Sequence, residues 1–203
     1  MKRKTAWMLG FGIVWLLFVL AGTIYLQNYS TQPGRSLASP TRWPTQTSLK
    51  RLDNTPTLVM FVHPKCACSS ASVGELNAIL AHFTGNLKSY VVFVKPLDTP
   101  NDWERDSLWK EAKALPGVEV ILDQGGREAE RFRVATSGVV LLYDADQQLK
   151  FSGGITESRG HSGDNEGKSA VISILNTGKA TLASTSIFGC SLLESESHAH
   201  NVH

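Results

Sequence analysis

Residues 6–26 form an uncharged apolar run of 21 residues, and this run constrains the fold of the chain more than any other feature. As a helix it would cover about 30 Å, the thickness of the hydrocarbon core of a bilayer. The apolar core of a cleaved signal peptide is shorter, about 7–15 residues, and is followed by a small-residue cleavage site. No clear site of that kind follows this run. We therefore predict an uncleaved membrane anchor, a signal-anchor, over residues 1–27.

The basic residues around this run predict its orientation. The segment MKRK precedes it, and the next basic residue is Arg35. Because positive charge is retained on the cytoplasmic side, we expect a single-pass protein of the bacterial inner (cell) membrane whose C-terminal domain faces the periplasm or cell exterior. The rest of the chain balances its acidic and basic side chains closely. We expect no nucleic-acid partner, since such proteins carry a basic surface.

Composition divides the remainder into three parts. Residues 28–55 are rich in Ser, Thr, Pro, Gln and Asn and are predicted to form a flexible linker, in which Trp43 is the one side chain that favours docking. Residues 56–178 carry the apolar patterns of a domain. Residues 179–203 form a polar C-terminal tail, interrupted by the apolar run IFGC around Cys190. Apolar residues in a polar tail favour packing, so we expect IFGC to fold back and bring Cys190 within reach of the other cysteines.

Alternating patterns predict a mixed sheet in the domain. Short apolar runs indicate strands, and apolar residues three and four apart indicate helices. The predicted strands are 57–62, 90–94, 118–122, 138–143 and 149–152, and the helices cover about 67–83, 101–115, 126–132 and 166–176. The order β-α-β-α-β-α-β-β-α favours parallel crossovers followed by an antiparallel hairpin. The fold class is therefore α/β, with helices on both faces of the sheet.

The cysteine pair lies where a strand meets a helix. The strand TLVMFV runs into HPKCACSS, which places His63, Pro64 and Lys65 in the loop and Cys66 at the helix N-terminus. Unpaired N–H groups and the helix dipole favour a thiolate at such a position, and Lys65 adds positive charge. Two cysteines one residue apart at this junction favour redox chemistry over a merely buried pair, with Cys66 as the nucleophile.

These residues, together with FRVATSGVVLLYDADQQLKFSGG, resemble the thioredoxin-like superfamily. The resemblance covers residues 56–178 and is nearest to the membrane-anchored TlpA and peroxiredoxin-like branch, whose insertion residues 102–122 resemble. It implies a thioredoxin-like fold and extracytoplasmic thiol–disulfide exchange with a protein dithiol or disulfide partner. In that chemistry Cys66 is the attacking thiol, and Ser137 and Gly138 line the site.

Two departures from the family pattern concern the site itself. The pair is C-x-C instead of C-x-x-C, and helical residues two apart point about 200° apart. A Cys66–Cys68 disulfide therefore requires a non-helical first turn. Gly138 stands where the family has a cis-proline, and we expect a trans peptide there because a non-proline cis bond costs about 3 kcal/mol.

The loop after the last strand is predicted to return to the cysteine end of the sheet. It contains Arg159, which could hold a thiolate or an anion, and His161, which could act as a proton shuttle or metal ligand. A solvated glycine-rich turn is the alternative. His63 is either a residue of the same pocket or simply the polar end of its strand.

Three functions fit these residues. The leading hypothesis is a membrane-tethered extracytoplasmic thiol–disulfide oxidoreductase, acting through Cys66 with Cys68 or Cys190 as resolving thiol and without a cofactor. The alternative is a copper(I) chaperone of thioredoxin fold, with copper held by Cys66, Cys68 and His63 or His161. The third is a thiol peroxidase in which Cys190 resolves a sulfenic acid on Cys66.

Overall fold

The chain forms two compact units, 1–32 and 33–203. The computed structural model describes residues 2–97, 99–100, 102 and 106–192. The first unit is helix α1, Lys2–Thr31. Its stretch Trp7–Thr31 is long and apolar enough to cross a membrane, by length and composition.

The second unit is built on a five-stranded sheet. The strands are β1 Thr57–Val62, β2 Lys88–Lys95, β3 Val118–Gln124, β4 Val139–Tyr143 and β5 Leu149–Gly154, and the helices are α2 Ala67–His82, α3 Ser107–Ala114, α4 Arg127–Arg131 and α5 Glu166–Thr177. The strand order is β3-β2-β1-β4-β5. β1, β2 and β3 are parallel, whereas β4 runs antiparallel to β1 and β5 runs antiparallel to β4. This confirms the predicted α/β fold class, a mixed sheet with helices on both faces, preceded by an apolar helix.

Successive side chains of β1 point to opposite faces of the sheet and belong to two separate hydrophobic cores. Leu58, Met60 and Val62 pack with α2, α3 and α5 on one face of the sheet. Val59 and Phe61 point to the other face, where the described residues place one helix, the five-residue α4. Other segments must also pack on this second face, because a helix of five residues is too short to bury the apolar side chains of five strands.

That cover corrects the predicted flexible linker. Residues 28–31 belong to α1, and residues 33–55 lie along the second face. Trp43 is 8% exposed, with its ring centroid 5.1 Å from that of Phe132. The Tyr90 hydroxyl donates to the Lys50 carbonyl oxygen at 2.6 Å, and Ser48 donates its backbone N–H to Glu128 at 3.0 Å. The polar composition suggested mobility, but these side chains are used to fasten the segment to the domain.

The third helix also begins later than predicted. α3 starts at Ser107, and the Asp106 side chain caps it by accepting from the Leu108 N–H at 3.1 Å. A capping carboxylate satisfies an N–H that has no partner within the helix, so the helix begins there. The predicted start is near Asn101 or Asp102; Asn101 lies outside the described residues, and Asp102 lies in a turn.

Candidate redox site

Cys66 lies at the junction of β1 and α2. It is the N-cap residue of α2, with φ −86° and ψ 112°, and its own N–H donates to the His63 carbonyl oxygen at 3.1 Å. This turn places Cys66 at the N-terminal end of a 16-residue helix. Although a nucleophile needs access, Cys66 is only 3% exposed.

The segment that covers this junction is the apolar run of the C-terminal tail. The Ser137 N–H donates to the Cys190 carbonyl oxygen at 2.8 Å, and the Leu192 N–H donates to the Ala135 carbonyl oxygen at 2.9 Å. Ser191 forms an antiparallel bridge with Thr136. The predicted folding-back of IFGC is thereby confirmed. We call residues 187–192 the docked segment.

Docking places the side chain of Cys190 close enough to Cys66 to change the acidity of its thiol. All three cysteines are unbridged. The pKa of Cys66 is lowered to about 4, chiefly by the hydrogen bond with the Cys190 side chain, which outweighs the opposing effect of burial. The backbone of Cys190, the Ser69 hydroxyl and the Cys68 backbone lower it further. The same hydrogen bond raises the pKa of Cys190, with burial acting in the same direction.

Cys68 occupies a different environment in the first turn of α2. Burial raises the pKa of its thiol, and the charge of Cys66 and a hydrogen bond with the Cys66 side chain raise it further, whereas the Arg159 guanidinium acts in the opposite direction. Arg159 also donates from Nη1 to the Gly189 carbonyl oxygen at 2.8 Å. The glycine-rich loop therefore supplies one cation, which contacts both Cys68 and the docked segment.

Buried hydroxyl groups support the turn beneath Cys66. Ser69 Oγ and Ser137 Oγ are 2.7 Å apart, and the His63 N–H donates to Ser137 Oγ at 2.8 Å. His63 is itself buried, and its Nδ1 accepts from the Lys65 N–H at 3.3 Å. Sequence analysis missed Ser69. Its signal was the position three residues after the N-cap, where a hydroxyl lies near the cap side chain.

Gly138 adopts a conformation that glycine permits. Its φ is +89°, and a Cβ there would lie 2.8 Å from Ser72 Oγ. No cis peptide bond occurs in the described residues. Its N–H donates to the Phe61 carbonyl oxygen at 2.8 Å, which joins the approach to β4 to the end of β1.

Other predicted residues lie elsewhere or act differently. Pro64 is buried in the turn, but the Lys65 ammonium group forms an ion pair with Asp106 at 3.3 Å and is not among the causes that lower the pKa of Cys66. His161 is exposed, in a turn where its N–H donates to the Ser158 carbonyl oxygen.

The proposed copper ligands are not assembled. In the part of the chain that the structure describes, no group of three or more His, Cys, Asp or Glu side chains could hold a metal ion. The copper set Cys66, Cys68, His63 and His161 stays a prediction from the sequence.

No protein-family model matches the chain, and no curated protein sequence matches it. Among solved structures, a hypothetical protein from Sinorhizobium meliloti 1021 is similar with a TM-score of 0.56 and 18% identity, over 70% of this chain and 81% of that one. An uncharacterized conserved protein from Geobacillus kaustophilus is similar with a TM-score of 0.53 and 14% identity, over 83% of this chain and 92% of that one. A secreted disulfide oxidoreductase of Mycobacterium tuberculosis is similar with a TM-score of 0.43 and 14% identity, over 62% of this chain and 83% of that one. At these identities the likeness concerns the fold, so function is argued from the site.

Proposed function

We propose that this protein is a membrane-tethered thiol–disulfide oxidoreductase in which Cys66 attacks and Cys190 resolves. One observation carries the proposal: an N-cap thiol of low pKa is hydrogen-bonded to a second thiol 124 positions further along the chain. A thiolate is the form of cysteine that attacks disulfides, and a second thiol at contact distance is what releases the resulting mixed disulfide.

In the first step the Cys66 thiolate attacks one sulfur of a partner disulfide. A bond forms between Cys66 Sγ and that sulfur, the partner S–S bond breaks, and the other partner sulfur leaves as a thiolate that takes a proton from solvent. With the tail docked, the pKa of Cys66 is about 4, so the thiolate is already populated at neutral pH when the partner arrives.

In the second step Cys190 loses its proton and attacks Cys66 Sγ. The Cys66–Cys190 disulfide forms and the partner leaves as a dithiol, so the two electrons that reduce the partner come from the Cys66–Cys190 pair. Deprotonation of Cys190 becomes easier at this stage, because Cys66 no longer carries the negative charge that raises the pKa of Cys190.

Cys68 is assigned a supporting role. α2 is helical from Ala67 onward, and the Cys68 carbonyl oxygen accepts from Ser72 Oγ at 3.4 Å. Cys66, the N-cap residue, has an extended backbone, and its thiol is also in hydrogen-bond contact with that of Cys68, so a Cys66–Cys68 disulfide is the competing outcome of the experiment below. Cys68 also contacts Arg159, which binds the docked segment.

The proposed compartment follows from the N-terminus. MKRK before the apolar stretch of α1 favours a cytoplasmic N-terminus and an extracytoplasmic domain. Disulfides persist in such compartments, which suits a protein whose working state includes one.

A single-turnover experiment tests the assignment of roles. The reduced full chain in detergent micelles is mixed with hydroxyethyl disulfide, quenched with acid and analysed by mass spectrometry. Cys190→Ala should stop at the mixed disulfide on Cys66, whereas Cys68→Ala should proceed to an internal disulfide. Cys66→Ala should form adducts at least about tenfold more slowly at neutral pH, because the remaining thiols are protonated.

The opposite pattern would contradict these roles. If Cys68→Ala traps the mixed disulfide and Cys190→Ala completes the turnover, Cys68 is the resolving thiol. If no variant and no wild-type protein forms a mixed disulfide, the protein is not an oxidoreductase of this kind.

A further inference from the structure

We propose that the docked segment, residues 187–192, is an internal competitor that closes the face of Cys66 through which a partner disulfide enters. A protein partner must displace it before exchange, and the segment must return for Cys190 to resolve the mixed disulfide. This inference rests on the proposed function and adds regulation to the same site.

Access to Cys66 is the first argument. The attacking sulfur must approach the partner disulfide along its S–S axis, which requires an open path wide enough for a polypeptide. Cys66 is 3% exposed, whereas Cys190, on the segment that covers it, is exposed. With the segment docked, the nucleophile is therefore enclosed and only its resolving partner faces solvent.

The backbone pairing is the second argument. The docked segment uses the Ser137 N–H and the Ala135 carbonyl oxygen, beside Cys66, in an antiparallel arrangement. These groups bind any extended chain irrespective of its side chains. An extended cysteine-bearing segment of another protein would therefore require the same backbone groups, and the two segments cannot pair with them at once.

The fit of Gly189 is the third argument. A Cβ at this position would lie 1.9 Å from the Ser137 carbonyl oxygen, and the residue is buried. Only glycine lets the segment lie this close, so the sequence around Cys190 is adapted to docking as well as to carrying a thiol.

The surroundings allow the segment to leave without unfolding the sheet. It lies beside two cavities of about 670 and 1060 Å³: Gly189 and Ser191 line the first, and residues 184–188 line the second. The preceding residues remain fastened to β5, since Ser152 donates its N–H to Ala183 and Thr185 Oγ1 donates to Gly154. Release of 187–192 alone would thus uncover Cys66 and leave the strands of the sheet paired.

The test compares two chains that both lack the resolving thiol. Cys190→Ala keeps the backbone pairing, whereas Cys190→Ala with Gly189→Val places a side chain against the Ser137 carbonyl oxygen and lifts the segment. The rate of mixed-disulfide formation on Cys66 is measured with insulin, a protein disulfide, and with hydroxyethyl disulfide. Dividing the first rate by the second cancels the effect that a change in the acidity of Cys66 has on both rates. Gly74→Val is the matched control, because Gly74 is exposed and a Cβ there meets nothing within 4 Å.

The ratio should rise about tenfold when Gly189 is replaced, since two backbone hydrogen bonds no longer hold the segment in place. Gly74→Val should leave it unchanged. An unchanged ratio in the Gly189→Val chain would overturn the proposal that the docked segment competes with a partner. It would not contradict the proposed oxidoreductase function. Absence of any mixed disulfide on Cys66 in the Cys190→Ala chain would remove the proposed function, and this inference with it.

A second measurement avoids a variant that fails to fold. The Cys190→Ala chain is trapped as its mixed disulfide with insulin, and amide hydrogen exchange is compared with that of the unmodified chain. The Leu192 amide should lose protection while that of Leu141 in β4 keeps it. Full protection of Leu192 in the trapped complex would show that a partner enters with the segment in place, which contradicts the proposal.

Discussion

At the scale of single residues, the acidity of Cys66 depends on several donors acting together. A helix N-terminus contributes about 0.3–1 kcal/mol, which is less than a tenfold change in an acidity constant. It cannot by itself bring the pKa of a thiol to about 4. The hydrogen bond with Cys190 is the largest contribution, so the docked segment determines much of the reactivity of its partner.

The pH dependence of alkylation follows from this arrangement. In the Cys68→Ala background, the rate at which iodoacetamide modifies Cys66 should be nearly constant between about pH 6 and pH 8, because the thiolate fraction is already close to one above its pKa. Adding Cys190→Ala removes the main stabilising hydrogen bond and raises the pKa of Cys66, so the rate should fall at pH 6 and increase toward pH 8. Peptide mass spectrometry identifies the modified cysteine. A rate that rises tenfold per pH unit before Cys190 is replaced would contradict a low pKa for Cys66.

At the scale of elements, two segments without regular structure complete the domain. Residues 33–55 and the docked segment both cover the face of the sheet that α4 leaves open, with Trp43, Leu49, Ile187 and Leu192 buried among its side chains. They also touch each other, since the Gly34 N–H donates to the Ile187 carbonyl oxygen at 2.8 Å. The segment that follows α1 thereby supports the segment that carries Cys190.

Trp43 provides the test of this cover. Trp43→Ala should lower the free energy of unfolding by about 3–5 kcal/mol, the usual effect of truncating a large buried aromatic side chain. Its ring packs edge-on against both Phe132 and Tyr143. Urea denaturation followed by circular dichroism measures the change. Leu52→Ala is the control in the same segment, because Leu52 is 55% exposed and its loss should change stability by less than about 0.5 kcal/mol. Equal effects of the two substitutions would show that residues 33–55 do not dock.

The sequence predicted regular elements better than irregular ones. β1 has the predicted bounds, and β4 and α5 differ from prediction by one residue at one end, because hydrophobic periodicity reports directly on burial. Residues 33–55 have no periodicity, and the isolated Trp43 was the one indication that they dock. The position of Cys66 followed from the strand–helix junction. The contact of Arg159 with Cys68 depended on loop geometry, and the separation of His161 from the site could not be derived from residue types.

At the scale of the whole molecule, the chain joins an apolar helix that could span a membrane to the domain that carries the cysteines. The two are separate compact units, 1–32 and 33–203. The proposed membrane anchor would confine the proposed oxidoreductase to a layer near the bilayer, which raises its effective concentration toward partners in the same membrane.

The orientation is tested by a fusion at His203. An alkaline phosphatase reporter, which folds only outside the cytoplasm, should be active there, because MKRK holds the N-terminus inside. Replacing Lys2, Arg3 and Lys4 by Glu should reduce that activity. A reporter that is active only in a cytoplasmic version of the fusion would reverse the topology and the proposed compartment.

The pairing of Cys66 with Cys190 is the central claim, and peptide mapping of the oxidised chain tests it most directly. Trypsin cleavage after Lys65, Lys88 and Lys179 places Cys66 and Cys68 on peptide 66–88 and Cys190 on peptide 180–203. After equilibration in a dithiothreitol redox buffer, we predict that the two peptides are joined by a disulfide, both in the native sequence and in Cys68→Ala. A peptide 66–88 that carries its own internal disulfide, with 180–203 unlinked, would contradict the account.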